Sequence, residues 1–301
     1  MSIAAGGRKA QVFRRPYPFL GKGPAPTFSQ VPLAMMTLFR RAVLPLGLAA
    51  ALLCLPASAM SGQRSYAATH GAAPFVTRHL IPGSDLDLAQ VDPTLPSARV
   101  VALTIDDGPD GHDPQILDIL RAHGAKATFF YIGAKIPEHR DIARMVATSG
   151  NEVGSHTQTH PMTTDLKPAE REWNLAQAEK ALASVGVAAT WFRPPYGDVD
   201  DALAALARRH GMATVLWTAD SQDWKDTGSD IIRQRIVERL EPGAVVLMHS
   251  TKAATVAALP AILEEGERRG LRFVTMSEWD AAMRQSVTPE LALLHPAPRR
   301  H

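Results

Sequence analysis

The chain has 301 residues, 46% hydrophobic and 21% charged, a composition that excludes a mainly disordered chain, a collagen and a multi-span membrane protein. Its formal charge of +2 is unevenly placed: seven of the 32 basic residues lie in 1–59 without one Asp or Glu, leaving 25 basic against 30 acidic residues beyond. A mildly acidic body offers no basic face, so no nucleic-acid partner is expected.

In chain order, residues 1–35 are expected to be a start assigned too early, with Met35 or Met36 the first residue; a basic cytoplasmic extension is the alternative. From Met36, Arg40-Arg41 leads into an apolar run from Ala42 to Leu55, followed by the small residues of Pro56-Ala57-Ser58-Ala59. This order predicts a signal peptide over 36–59 cut after Ala59, and a secreted or periplasmic protein with no stable membrane span once it is removed. The apolar run is shorter than the ~20 residues a span needs, although an uncleaved anchor is the competing reading. Cys54 is the chain's one cysteine and lies inside this run, so the mature chain would hold neither disulfides nor thiol chemistry.

Residues 60–98 are rich in Ala, Pro, Ser and Gly and read as a linker plus an N-terminal arm packed on the following domain. That domain is expected over 99–285, with a C-terminal tail over 286–301 that frays. Within it, strand-like runs recur at Val100–Ile105, Ala127–Ile132, Glu152–Ser155, Thr190–Phe192, Ala213–Thr218, Ala244–Met248 and Arg272–Thr275. Helical segments alternate with them at Pro114–Ala122, Glu138–Thr148, Pro168–Val185, Asp200–Arg209, Asp230–Leu240, Thr255–Arg269 and Ser277–Arg284. Seven such units predict an α/β fold with about seven parallel strands, either an incomplete (β/α) barrel or a doubly wound open sheet.

Five stretches at strand ends carry chemistry. Thr104-Ile105-Asp106-Asp107-Gly108-Pro109 puts two carboxylates side by side, tolerable beside a cation or an arginine, although a polar turn would carry the same residues. In Gly154-Ser155-His156-Thr157-Gln158-Thr159-His160-Pro161, two histidines four apart would face one way on a helical turn, within reach of one metal ion. With Asp107 as third ligand they would form an open, catalytic type of site; a chance pair of surface histidines is the bland alternative. In Phe192-Arg193-Pro194-Pro195-Tyr196-Gly197, two prolines remove two donors, leaving the Tyr196 amide as the first N–H on a stiff loop, fit for an oxyanion. Arg193 could pair with Asp106 and hold it ionised, although a proline-rich loop with a surface arginine is the plain reading of this stretch alone. Asp220-Ser221-Gln222-Asp223-Trp224 and Leu247-Met248-His249 complete the set, with simple packing as the plain reading of Trp224 and His249.

Taken in order, these stretches resemble the polysaccharide deacetylases, the NodB-like family also called carbohydrate esterase family 4. The resemblance runs from about Arg99 to Trp279 and includes Lys126-Ala127-Thr128-Phe129-Phe130 through Gly133. It implies a distorted (β/α) barrel and metal-dependent removal of acetyl groups from N-acetylated sugars, or O-acetyl groups in some members. By the resemblance, Asp106 is the base, and Asp107, His156 and His160 hold one divalent ion, zinc by default with cobalt, nickel or manganese also suited. Arg193 orients the base, the Tyr196 amide serves the oxyanion, and Pro195, Trp224 and Leu247 belong to the substrate wall. His249 is the general acid, supported by Asp223 by preference and Asp220 otherwise. Ile105 stands where Phe is usual, and Ser250 where Asp often follows the histidine. The expected partner is an acetylated polysaccharide or oligosaccharide: peptidoglycan or a chitin-type oligosaccharide first, O-acetylated xylan second. A non-catalytic glycan-binding relative and a hydrolase of small cyclic amides or formylated sugar lipids are the rival classes.

Overall fold

The computed structural model describes residues 80–294 apart from Gly83 and Asp226. The expected extension, signal peptide, Cys54, most of the linker and the last residues of the tail lie outside the described residues.

Eight strands, all parallel, form one sheet: β1 Val100–Gly108, β2 Thr128–Tyr131, β3 Glu152–Ser155, β4 Trp191–Phe192, β5 Ala213–Thr214, β6 Ala219–Asp220, β7 Val245–His249 and β8 Arg272–Val274. Their order is β5-β4-β3-β2-β1-β7-β6, with β8 against the start of β1. β1 is the axis of the fold and is buried along nearly its whole length, as its largely apolar run requires of a parallel strand covered on both faces. One edge of β1 pairs Ala102–Asp106 with Val245–His249. The other takes Val100–Ala102 against β8 and then Thr104–Gly108 against β2. Helices follow the strands: α1 Asp113–Ala122, α2 Arg140–Ala147, α3 Pro168–Ala183, α4 Asp201–Arg209, α5 Ser229–Val237, α6 Ala253–Arg268, α7 Met276–Gln285 and α8 Pro289–Leu294.

The period-2 alternation of β1 separates two cores. Val101, Leu103 and Ile105 face outward into a cluster with Ile116 and Leu120 of α1, Ile232 and Ile236 of α5 and Leu259, Ile262 and Leu263 of α6. Val100 and Ala102 face inward, with Phe130, Trp191, Val245 and Val274. Met276, Trp279 and Met283 of α7, together with Leu80 and Ile81 of the N-terminal arm, fill the same inner cluster. The sheet therefore curls round a packed interior as an incomplete barrel, not a doubly wound open sheet. Among the described residues no ladder joins β5 to β6, and that gap is the seam.

The seam corrects one expected strand. Ala213–Thr218 is not continuous, because its hydrogen bonds change partner: Val215 N donates to Phe192 O, Leu216 N to Leu80 O of the arm, and Thr218 N to Val245 O. The chain crosses the gap in that stretch and resumes as β6, giving eight short strands. Among the described residues beyond Ser286, Val287 forms an antiparallel bridge with Val91 and α8 runs to Leu294.

Candidate active site

The carboxyl ends of β1, β3, β4 and β7 converge on one cluster, and β1 supplies two adjacent carboxylates by breaking its own alternation. Neighbouring strand residues normally point to opposite faces. Here Asp107 takes a left-handed conformation (φ 69°) where the ladder to β2 shifts register between Asp106 and Gly108. Both side chains thus reach the same pocket. Lys135, in the 3₁₀ turn Gly133–Lys135, donates from Nζ to the Asp107 carbonyl at 2.7 Å and holds that turn.

His156 and His160 do not share a helical turn, contrary to expectation. The segment is a loop in which Thr157 and His160 have positive φ (66° and 56°) and His160 N donates to Thr157 Oγ1. The loop still brings the rings together, with centroids 4.8 Å apart. His156 is buried, and its Nδ1 lies 2.7 Å from Arg193 O. A carbonyl only accepts, so Nδ1 carries the proton and Nε2 presents a lone pair. That lone pair points at carboxylate oxygens, 3.6 Å from Asp107 Oδ1 and 3.8 Å from Asp106 Oδ2. Burial keeps His156 below the ordinary imidazole range, outweighing the pull of Asp106 and Asp107. His160 Nε2 lies 3.2 Å from Asp107 Oδ1.

Asp107, His156 and His160 thus offer three ligand atoms within 4.8 Å of one another. Asp107 Oδ1 is a buried acceptor with no hydrogen-bond partner, a costly arrangement unless a cation completes it. Two imidazoles and one carboxylate fit a divalent ion of the zinc type with a coordination position left open. Burial works to raise the Asp107 carboxyl, but the imidazoles of His160, His156 and His249 outweigh it and hold the group well below the usual carboxylate range.

Arg193, directly after β4, is fully buried. Its Nη1 donates to Asp106 Oδ1 at 3.0 Å and to Thr104 Oγ1, and its Nη2 to Leu216 O at 2.9 Å. The guanidinium stacks 4.4 Å from the Phe130 ring centroid and 5.7 Å from that of Trp217. Burial lowers its pKa, opposed by Asp106. Removing one member of such a pair leaves the other charge buried alone. Arg193→Met is expected to cost about 3–5 kcal/mol of unfolding free energy, measured by urea denaturation.

Past Arg193, Pro194 and Pro195 lead into two successive left-handed residues, Tyr196 (φ 62°) and Gly197 (φ 69°). A Cβ on Gly197 would sit 2.9 Å from the Trp217 ring, so only glycine fits. Pro195 is buried, whereas Tyr196 is exposed on the rim, its ring 4.7 Å edge-on from His160.

His249 ends β7 as the ladder partner of Asp106 and so shares its face. Its Nδ1 lies 2.6 Å from Asp223 Oδ1, and Asp223 Oδ2 accepts from His249 N and Thr255 Oγ1. Burial would lower the His249 pKa, but the hydrogen bond and charge of Asp223, then Asp106 and Asp107, push it up to about 9. In Asp223, burial is outweighed by the same bond, and the carboxyl lies below its ordinary value. The choice left open by the sequence is thereby made: Asp223, not Asp220, bonds His249. Asp220 pairs with Leu247 in the ladder, accepts from Gln222 N at 2.8 Å, and is raised by burial. Leu247 is buried between the outward-facing Val246 and Met248, so it faces the interior on the side of Thr104 and Asp106. Trp224 is half exposed, with Lys225 Nζ 4.9 Å from its ring centroid, away from the cluster's direct contacts.

Four residues of this site were not singled out in the sequence: Thr104, Lys135, Trp217 and Thr255. Thr104 had a signal, as the one hydroxyl in the apolar run Val100–Ile105. The other three act across the fold and leave no local mark.

A family model described as Polysaccharide deacetylase matches residues 95–215, from just before β1 to the end of β5. A peptidoglycan-N-acetylglucosamine deacetylase of Bacillus cereus is 36% identical over 186 residues, 60% of this chain and 87% of that protein. A chitooligosaccharide deacetylase of Bradyrhizobium is 33% identical over 189 residues, 57% of this chain and 86% of its own length. Among solved structures, a CE4-family pseudoenzyme from Bacillus anthracis is similar with a TM-score of 0.59 at 31% identity, covering 65% of this chain and 72% of that one. Identity at this level over most of a relative's length, on a curled parallel barrel with these residues at its strand ends, has one consequence: the chain belongs to the polysaccharide deacetylase family.

Proposed function

We propose that the protein is a secreted, metal-dependent deacetylase that hydrolyses N-acetyl groups of N-acetylglucosamine-type glycans, peptidoglycan or chitin oligosaccharide, to a free amine and acetate. The observation that carries this reading is the orphaned Asp107 Oδ1 facing His156 Nε2 and His160 Nε2, flanked by a charged Asp106–Arg193 pair and a protonated His249–Asp223 pair.

Asp107, His156 and His160 would hold one divalent ion, zinc by default, which when bound would supply a Lewis acid for the acetyl carbonyl and lower the pKa of water. The chain's own groups do the rest. Asp106, oriented by its bond from Arg193, accepts the proton of the attacking water as its oxygen adds to the carbonyl carbon. The Tyr196 amide donates to the oxyanion that forms. When the C–N bond breaks, the electron pair stays on nitrogen, and His249 supplies the proton that makes it a neutral amine. Asp223 keeps His249 protonated and fixes its ring by bonding Nδ1, leaving Nε2 to face the substrate. Pro195, Leu247 and Trp224 are assigned to the wall around the sugar and its acetyl group.

The similar pseudoenzyme supports a second reading, a glycan-binding protein without turnover. Against it, base, acid and ligand set are all present here. Acetate release from N-acetylglucosamine oligomers, peptidoglycan and acetylxylan separates the readings: the first two should yield acetate, xylan alone would make the protein an O-acetyl esterase, and none would make it a binder. Secretion rests on residues 36–59. Exported protein should begin near Met60 by N-terminal sequencing, and an intact chain retained in the cytosol would overturn the cell-envelope assignment.

A further inference from the structure

Two loops of the site, one carrying His160 and one carrying Tyr196, are bound to each other at two points. At the rim, Tyr196 Oη lies 3.2 Å from His160 Nδ1, the ring nitrogen turned away from Asp107. Below it, Asp198 is nearly buried and spans the same gap: Oδ2 accepts from Thr164 N at 2.7 Å and Oδ1 from Thr164 Oγ1 at 2.6 Å. Thr163 Oγ1 adds a longer bond to Asp198 O at 3.3 Å. Arg171 of α3 locks both sides, donating to Thr164 O at 2.7 Å and to both oxygens of Asp200 at 2.8 and 2.9 Å.

This geometry has a chemical consequence. An imidazole that gives one nitrogen to a metal needs a partner on the other to set its tautomer and ring direction. His156 has Arg193 O for this purpose. For His160, the group in reach is the Tyr196 hydroxyl. Tyr196 can stand there only while its left-handed turn stays at a set distance from the histidine loop, and the two Asp198–Thr164 bonds span that gap two residues past Tyr196.

We infer that Tyr196, through its hydroxyl, is the outer partner that orients His160, and that Asp198 is a positioning residue holding the two loops at the spacing this contact requires. The residue whose amide is assigned to the oxyanion is then also tied to retention of the ion, so neither loop moves without the other. The inference rests on the proposed metal site and adds residues to it.

The test is the dissociation constant for Zn²⁺, measured on the full mature chain by competition with a chromophoric chelator. Tyr196→Phe should weaken Zn²⁺ binding by about 10–100-fold, the usual cost of removing an outer partner. Asp198→Ala should weaken it comparably and Asp198→Asn less, because the amide oxygen still accepts one of the two Thr164 bonds. Combining Tyr196→Phe with Asp198→Ala should fall well short of the product of the single losses, since both act on one contact. Tyr196 is exposed, so its melting temperature should stay at the wild-type value and separate metal loss from unfolding. A Tyr196→Phe variant with wild-type Zn²⁺ affinity would overturn the inference while leaving the metal site standing. A wild-type chain that binds no Zn²⁺ would overturn the metal site and the inference together.

Discussion

His249→Ala is expected to cut turnover of an N-acetylglucosamine oligomer by ~10²–10⁴-fold, the usual contribution of general acid catalysis, while hydrolysis of 4-nitrophenyl acetate falls far less. An amide must expel an amine, which needs a proton; an activated ester expels a phenolate, which barely does. The histidine is placed for this work by the β1–β7 ladder, which sets it beside Asp106, and by Asp223, which bonds its Nδ1. Its pH behaviour follows with a definite sign. A histidine raised to about 9 is protonated below that value and loses its proton above it, so oligomer turnover should decline on the alkaline side, a limb absent from the variant. A divalent ion beside Asp107 offsets part of the carboxylate charge that raises His249, so the limb should lie at or below about 9 in the loaded enzyme. The same linkage acts on stability. The pair contributes fully below the unfolded histidine value of about 6.5 and loses its contribution as pH rises through the folded value. Steady-state rates on the two substrates across pH, with urea unfolding alongside, measure all three effects. Equal losses on amide and ester would remove His249 from the proton transfer.

The second large effect separates two adjacent aspartates that face different partners. Asp107→Ala, His156→Ala and His160→Ala should each lose bound metal and activity together. Asp106→Asn should keep the metal and lose the rate, because the amide still bonds Arg193 but takes no proton from water. The reason is geometric: Asp106 faces the guanidinium at 3.0 Å, whereas Asp107 Oδ1 has only the two imidazoles before it. Metal content by elemental analysis of the purified variants decides. Full occupancy in Asp107→Ala, or loss of metal in Asp106→Asn, would mean that the two carboxylates have exchanged roles.

Much of this site is legible in the chain because two apolar strands end abruptly on polar residues: Val100–Ile105 on Asp106-Asp107, and the run after Ala244 on His249. Such placements cost stability and draw attention to themselves. What the sequence hides is set by contacts between distant segments or by backbone conformation. No local pattern says that Asp107 turns left-handed, since the turn arises where β2 loses register with β1. Spacing alone makes His156 and His160 look helical, and two positive-φ residues bring them together by another route. Asp220 and Asp223 are equivalent by composition, yet Asp220 turns back to accept from Gln222 N, and a bond from Thr255, 32 residues away, helps seat Asp223 against His249. The seam at Val215–Thr218 depends on the arm at Leu80, more than a hundred residues earlier, which no window of sequence contains.

The most direct measurement is acetate released from an N-acetylglucosamine oligomer by the protein as purified, after removal of metal with a chelator, and after return of one equivalent of Zn²⁺ or Co²⁺. The expected result is loss of acetate release on chelation and its recovery on reconstitution, with no recovery in Asp107→Ala. Acetate release that is indifferent to chelation while the metal content is shown to be nil, or a protein that binds the ion tightly and releases no acetate from any acetylated glycan, would contradict it.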